Sequence, residues 1–308
     1  MADQLAEDLV AAFNALFGEH AGLRAVHAKG TCVAATFTAT AEAAALTRAP
    51  HMQGTPVRTT VRFSNGSGDP AAHDAGREPR GMASKCHLDE KRSTDIVAIN
   101  QPVFVVRTPE EVLEFLRLRK PDPETGQPDM AGLIAFLGAR PESQRAAQLL
   151  LTAPPVASFL ATEYFALHAF RFVAGDGSAR YGRYRISPDL GVRTLEPAEA
   201  EAMSADYLTE DLVSRLANGH ASFTISITLA GDGDDPNDPT MEWTGVGEVV
   251  AGRLEITGIV EDQEKGCDRL LFDPTLLCDG IEASDDPVLL ARPRAYAVSS
   301  KKRSKARR

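Results

Sequence analysis

Four segments carry side chains able to do chemistry within stretches that otherwise read as buried. In LRAVHAKG (23–30), His27 follows apolar residues directly. An imidazole there is a candidate acid–base group, although a lone histidine in such a setting is commonly a hydrogen-bonded core residue. VRFSNGSG (61–68) puts Arg62 and Ser64 on the strand face opposite Val61 and Phe63. A buried guanidinium needs a carboxylate, and a ligand could supply it. HAFRF places His168 at the start of a strand, and GIEASDDPVLLARPRAYAVSSKKR (280–303) holds Asp286, Arg292, Tyr296 and Arg303. Arg292 and Tyr296 lie on one face if that segment is helical. A guanidinium beside a phenol favours the phenolate, a hard anion suited to ferric iron. An ordinary surface pair is the plainer alternative.

The elements that must position these groups are mixed. Residues 2–17 read as an amphipathic helix through Leu5, Leu9, Phe13 and Leu16. A β-rich stretch starts near Val26, and PVRTTVRFS (56–64) alternates with a period of two. DIVAINQPVFVV (95–106) reads as a strand interrupted at Pro102. TPEEVLEFLRL (108–118) opens with a threonine cap and an acidic first turn, hence a helix. Residues 129–165 are helical, broken at Pro141 and Pro154-Pro155. HAFRFVA (168–174) and ARYGRYRI (179–186) flank GDGS as a hairpin. A helical stretch (196–218) and strands at 222–230 and 252–260 follow. The sum is an α+β chain with antiparallel strands dominating, one large sheet or barrel with helices added.

Composition narrows the class. The chain has 308 residues, 43% hydrophobic and 25% charged, with a net charge of −10. Such a surface repels polyanions, so no nucleic acid is expected, and no stretch is long and apolar enough to suggest a membrane. The one basic cluster is KKRSKARR at the end, read as a solvated tail. Acidic residues near the start argue against a secretory leader, and cytoplasmic residence is the expectation. Cys32, Cys86, Cys267 and Cys278 form no CxxC pair, and four free buried thiols are expected.

In this order the segments resemble the heme catalases, most closely the small catalase-related peroxidases, from about Arg24 to Arg303. VHAKG (26–30) is similar to the family's distal-histidine segment. VRFSNGSGDPAAHDAGREPRGMASK (61–85) is similar to its RFS…D…RDPRG run, with Glu78 where Asp is usual. DIVAINQPVFVVR (95–107), RPES (140–143) and GIEASDDPVLLARPRAY (280–296) match three further segments. Five collinear matches are far more specific than one.

The resemblance implies an antiparallel β-barrel with flanking α-helices, one heme-binding domain over 1–303 and a basic tail at 304–308. It implies ferric heme b as cofactor, ligated by Tyr296. Arg292 would hold Tyr296 as tyrosinate, backed by a chain through Asp286 to His168. His27 would be the distal acid–base residue, with Ser64 fixing its tautomer. Arg24, Arg62 and Arg303 would pair the propionates, while Val26 and Phe104 would contact the macrocycle. The implied reaction is reduction of hydrogen peroxide or organic hydroperoxides by a small-molecule reductant. The oligomer expected is a homodimer. Aligning on Pro102, Ile99 holds the place of a distal Asn, and Asn100 falls one residue later, on the opposite strand face. Weak or absent dismutation follows from that shift. A heme-stacking aromatic is replaced by Val112, whereas Phe115 is retained. Two alternatives stand beside this reading. A hydroperoxide isomerase or dehydratase of the allene oxide synthase type usually has Thr where Val26 stands. A non-catalytic heme-binding protein would have no need of both His27 and Ser64.

Overall fold

A computed structural model describes residues 2–307. The chain opens with α1 (Ala2–Phe17), then β1 (Gly30–Ala39), α2 (Ala41–Leu46), β2 (Val57–Asn65), β3 (Arg80–His87) and β4 (Ser93–Ile99). A helical excursion follows as α3 (Pro109–Arg119), α4 (Met130–Gly138) and α5 (Pro141–Thr152). The chain returns through β5 (Tyr164–Phe165), β6 (Phe170–Val173) and β7 (Ala179–Pro188) to α6 (Pro197–Ala202) and α7 (Tyr207–Ala217). It closes with β8 (Ala221–Leu229), β9 (Gly247–Ile259), β10 (Ile281–Ala283) and α8 (Pro287–Ala306).

The strands run β7-β5-β4-β3-β2-β1-β9-β8, and β8 pairs back onto β7, closing an antiparallel barrel. Closure pairs both edges of the barrel strands, and β6 with β10 extends the sheet beside β7. The alternation read in β2 sends Val61 and Phe63 into the main core, with Phe37, Tyr164, Phe223 and Leu254. Arg62 and Ser64 take the outer face. Local signals set the helix starts. Thr108 and Glu111 form the reciprocal capping box of α3, Pro141 opens α5, and Asp286 caps α8. The β6–β7 hairpin turns at Gly177, whose φ of +85° explains the glycine in GDGS. Among the described residues no helix is long and apolar enough to cross a membrane.

The structure differs from the sequence reading in several places. The strand expected over 95–106 stops at Ile99, because Asn100 turns back to accept a hydrogen bond from the Arg80 amide and Pro102 has none to offer. β9 begins at Gly247, before the expected Gly252, since its first residues are mostly exposed and show no alternation. β3 was not anticipated as a strand. The basic end is helical through Ala306, and Arg307 pairs with Asp268 and donates to the Gly22 carbonyl. Four free thiols were expected, but Cys32 and Cys267 form a disulfide across 235 residues of sequence, leaving Cys86 and Cys278 free. β1 and the segment after β9 meet only in the closed barrel, where Val260 N–H donates to the Cys32 carbonyl.

Candidate functional site

A cleft with a mainly apolar lining lies between the outer face of β2–β4 and the helices α1 and α8. His27 enters it from the α1–β1 loop. Its φ of +57° is unusual for a residue with a side chain. The loop is pinned beside it by Ala28 N–H donating to Ser67 O and by the Lys29–Asp74 ion pair at 2.6 Å. His27 Nδ1 is 3.0 Å from Ser64 Oγ. Gly81 on β3 leaves room for both: a Cβ there would lie 2.8 Å from Ser64 Oγ and 2.9 Å from the His27 ring. Burial depresses the His27 pKa to about 3, and the positive charges of Arg62, Arg292, Arg24 and Arg80 push it the same way. The imidazole is therefore neutral at ordinary pH.

One end of the cleft gathers Arg24, Arg62 and Arg303. Arg62 is 3% exposed and, among the described residues, has no carboxylate partner; one nitrogen donates to Ala28 O, and its buried Nε has no partner among them. Burial lowers its pKa to about 10, Asp268 acting against that fall and Arg303 reinforcing it. Arg24 donates to Leu270 O at 2.9 Å and Cys267 O at 3.2 Å, and lies 3.6 Å from Asp268. Arg303 donates to Leu270 O. Burial lowers the pKa of Arg24 and Arg303 as well. Three clustered guanidiniums with one nearby carboxylate make a site for an anionic ligand.

The helix α8 delivers Tyr296 and Arg292 to the same cleft as His27. The four-residue spacing works as read: Arg292 Nε donates to Tyr296 Oη at 3.0 Å, and Nη2 donates to it too. Behind the wall, His168 Nδ1 is 2.6 Å from Asp286 Oδ2, while Asp286 Oδ1 caps α8 by accepting from Val288 N–H. The expected chain is thus present in two halves. No hydrogen bond among the described residues joins Arg292 to His168 or Asp286, and His168 Nε2 is buried without a partner.

The family model for catalase matches residues 1–307. The chain belongs to the catalase family. It is 40% identical over 288 residues to a catalase-related peroxidase of Mycolicibacterium paratuberculosis, covering 93% of this chain and 91% of that one. It is 34% identical to a catalase-related peroxidase of Synechococcus elongatus, over 97% and 88% of the two. A fungal catalase superposes with a TM-score of 0.83 at 26% identity, and catalase A from Saccharomyces cerevisiae with 0.81 at 25%. Each covers 92% of this chain, which spans about six-tenths of either catalase.

The family's heme fits the residues present. The Arg62 Nε, which has no partner among the described residues, and the arginine cluster answer the anionic propionates, the lining is largely apolar, and a phenol and an imidazole both line the opening. Of the residues expected from the sequence, Arg24, Val26, His27, Arg62, Ser64, Arg292, Tyr296 and Arg303 line this one cleft. Phe104 does not. After β4 ends, the chain carries its ring to within 6.4 Å of the His168 ring, and its amide donates to Pro239 O. Val112 and Phe115 also lie outside the lining, packed against α1 and Phe136 respectively. Ile99 lines the cleft and Asn100 faces a separate pocket with Arg80, so the one-residue shift carries the amide away from His27. Sequence reasoning gave no role to Gly81, Phe13 or Asp268. Gly81 lay within the quoted PRG run, Phe13 looked like a plain core position of α1, and nothing in the sequence signalled Asp268.

Proposed function

We propose that this chain is a heme peroxidase that reduces hydrogen peroxide or organic hydroperoxides with a small-molecule reductant and evolves little oxygen. The observation carrying this reading is the presence of a neutral His27 and an Arg292-bound Tyr296 in one cleft that also holds Arg24 and the buried Arg62 and Arg303. Heme b in the ferric state, when bound, supplies the redox-active iron, with Tyr296 as its anionic protein ligand. Arg24, Arg62 and Arg303 bind and orient the propionates. Arg292 stabilises the phenolate of Tyr296 through its two donated hydrogen bonds.

His27 carries the proton chemistry. With Nδ1–H donating to Ser64 Oγ, Nε2 keeps its lone pair toward the cleft. Nε2 would accept the proton from one peroxide oxygen and return it to the other, so hydrogen peroxide gives up water and an organic hydroperoxide gives up an alcohol. In sum, hydrogen peroxide takes two electrons and two protons from the reductant and yields two waters, and an organic hydroperoxide yields one water and one alcohol. Ile99 leaves no amide facing His27 to orient a second peroxide, which favours the reductant over dismutation. The same His27–Ser64 pair argues against a carrier that binds heme without turnover.

The test is a paired assay on heme-loaded protein with hydrogen peroxide and, separately, an organic hydroperoxide. Oxidation of a chromogenic donor should far exceed oxygen evolution. Vigorous oxygen evolution without donor oxidation, or no turnover of either peroxide, contradicts the proposal.

A further inference from the structure

Cys32 and Cys267 tie together the parts that hold the arginine end of the cleft. Cys32 lies on β1 and Cys267 in the turn after β9; both are fully buried. Gln263 reinforces the junction, accepting from Cys32 N–H and donating to Cys32 O. The segment from Asp262 to Phe272 supplies each acceptor found for Arg24 among the described residues: Cys267 O, Leu270 O and Asp268. It also supplies the Leu270 carbonyl to Arg303, and Phe272 to the cleft wall. The two cysteines pack in one cluster with Phe272, Ala83 and Val97, all three of which line the cleft. The sulfurs therefore sit one layer of side chains behind the surface that meets the substrate.

We propose that Cys32 and Cys267 are an oxidative modification site: a dithiol that a small peroxide entering the cleft converts to the disulfide, fixing segment 262–272 and the arginines it holds. The sulfur of one thiolate attacks a peroxide oxygen, the O–O bond breaks, and a sulfenic acid and one water form. The second thiolate attacks that sulfur, the S–O bond breaks, and the oxygen leaves as the second water. Two sulfurs lose two electrons in all, the peroxide gains them, and the two thiol protons end in the waters. Once formed, the bond is closed to bulky thiol reductants because both sulfurs have no exposed surface. It is a lock written once by the enzyme's own substrate. Cys86, in the barrel core, and Cys278 lie outside the cluster that backs the cleft and serve as internal controls.

This inference rests on the reading that the cleft meets peroxide and holds heme, and its test separates the two. Protein prepared under reducing, anaerobic conditions is treated with two equivalents of hydrogen peroxide, then denatured, alkylated and analysed by peptide mass spectrometry. Cys32 and Cys267 should go from alkylated to cross-linked, while Cys86 and Cys278 stay alkylated. Tryptic cutting after Lys265 and Arg269 in the heme-free protein, and heme transfer to excess apomyoglobin from the loaded protein, are then timed in both forms. The disulfide form should be cut and should lose heme at least fivefold more slowly, and the Cys32→Ser/Cys267→Ser double variant should match the dithiol form. Failure of the pair to cross-link, or equal cutting rates in the two forms, overturns the proposal. Equal heme-transfer rates overturn its link to the arginines. A chain that takes up no heme yet cross-links and resists trypsin leaves the lock standing and sinks the peroxidase reading instead.

Discussion

Gly81→Ala is the sharpest probe of the distal arrangement, because one methyl group reaches both members of the acid–base pair. The added Cβ would stand 2.9 Å from the His27 ring and 2.8 Å from Ser64 Oγ, whereas ordinary contact begins at 3.4 Å. The ring must therefore retreat by about half an ångström or more to relieve the overlap. Gly81 is not at positive φ and lies within a strand, so alanine suits the backbone and the fold is expected to persist. Misplacing a catalytic group by about 1 Å costs on the order of a hundredfold. For this smaller shift the expected loss in kcat/KM for peroxide is roughly 10- to 100-fold, or about 1.4 to 2.7 kcal/mol. The assay is donor oxidation at varied peroxide concentration, with heme content and thermal unfolding measured on the same preparation. A variant that keeps its heme and turns over within twofold of the unmodified protein would refute the claim that Gly81 sets the His27–Ser64 geometry.

Other outcomes follow from the same site. Ile99→Asn restores an amide to the cleft wall and should raise oxygen evolution about tenfold or more, measured with an oxygen electrode; no rise would detach weak dismutation from this position. Arg62→Met should weaken heme binding roughly 30-fold or more, because the propionate loses a buried partner. It should also leave the heme-free protein as stable or more so, since an unpaired buried charge has been removed; denaturant titration and heme competition read the two effects. His27 is neutral in the fold down to about pH 3 but protonates near 6.5 when unfolded. The unfolded state thus binds the extra proton between those values, and stability of the heme-free protein should fall as pH drops from 6.5 toward 3, by at most a few kcal/mol. His27→Phe should flatten that dependence.

Much of this site was readable because it depends on local patterns. The period-two alternation of β2 assigned Val61 and Phe63 to the core and Arg62 and Ser64 to the cleft, and the barrel keeps that division. The i, i+4 spacing of Arg292 and Tyr296 gave their contact, and Thr108 with Glu111 marked the start of α3. What escaped reading depends on closure of the sheet. Cys32 and Cys267 become neighbours only when β9 lies against β1, and Asp268 meets Arg24 by the same event. Phe104 was placed by its motif, but the chain leaves the strand direction at Asn100, and that bend redirects the ring toward His168. Gly81 could be seen as a glycine in a motif, yet its purpose, the empty space for His27, exists only once β2, β3 and the α1–β1 loop are packed together.

The account stands on Tyr296 being the protein ligand across the cleft from His27. Optical and electron paramagnetic resonance spectra of the heme-loaded protein, compared with those of Tyr296→Phe, address this directly. The unmodified chain should bind one heme and give a high-spin ferric, tyrosinate-type spectrum that the variant loses. An unaltered spectrum in Tyr296→Phe, or an unmodified chain that takes up no heme, would contradict the account.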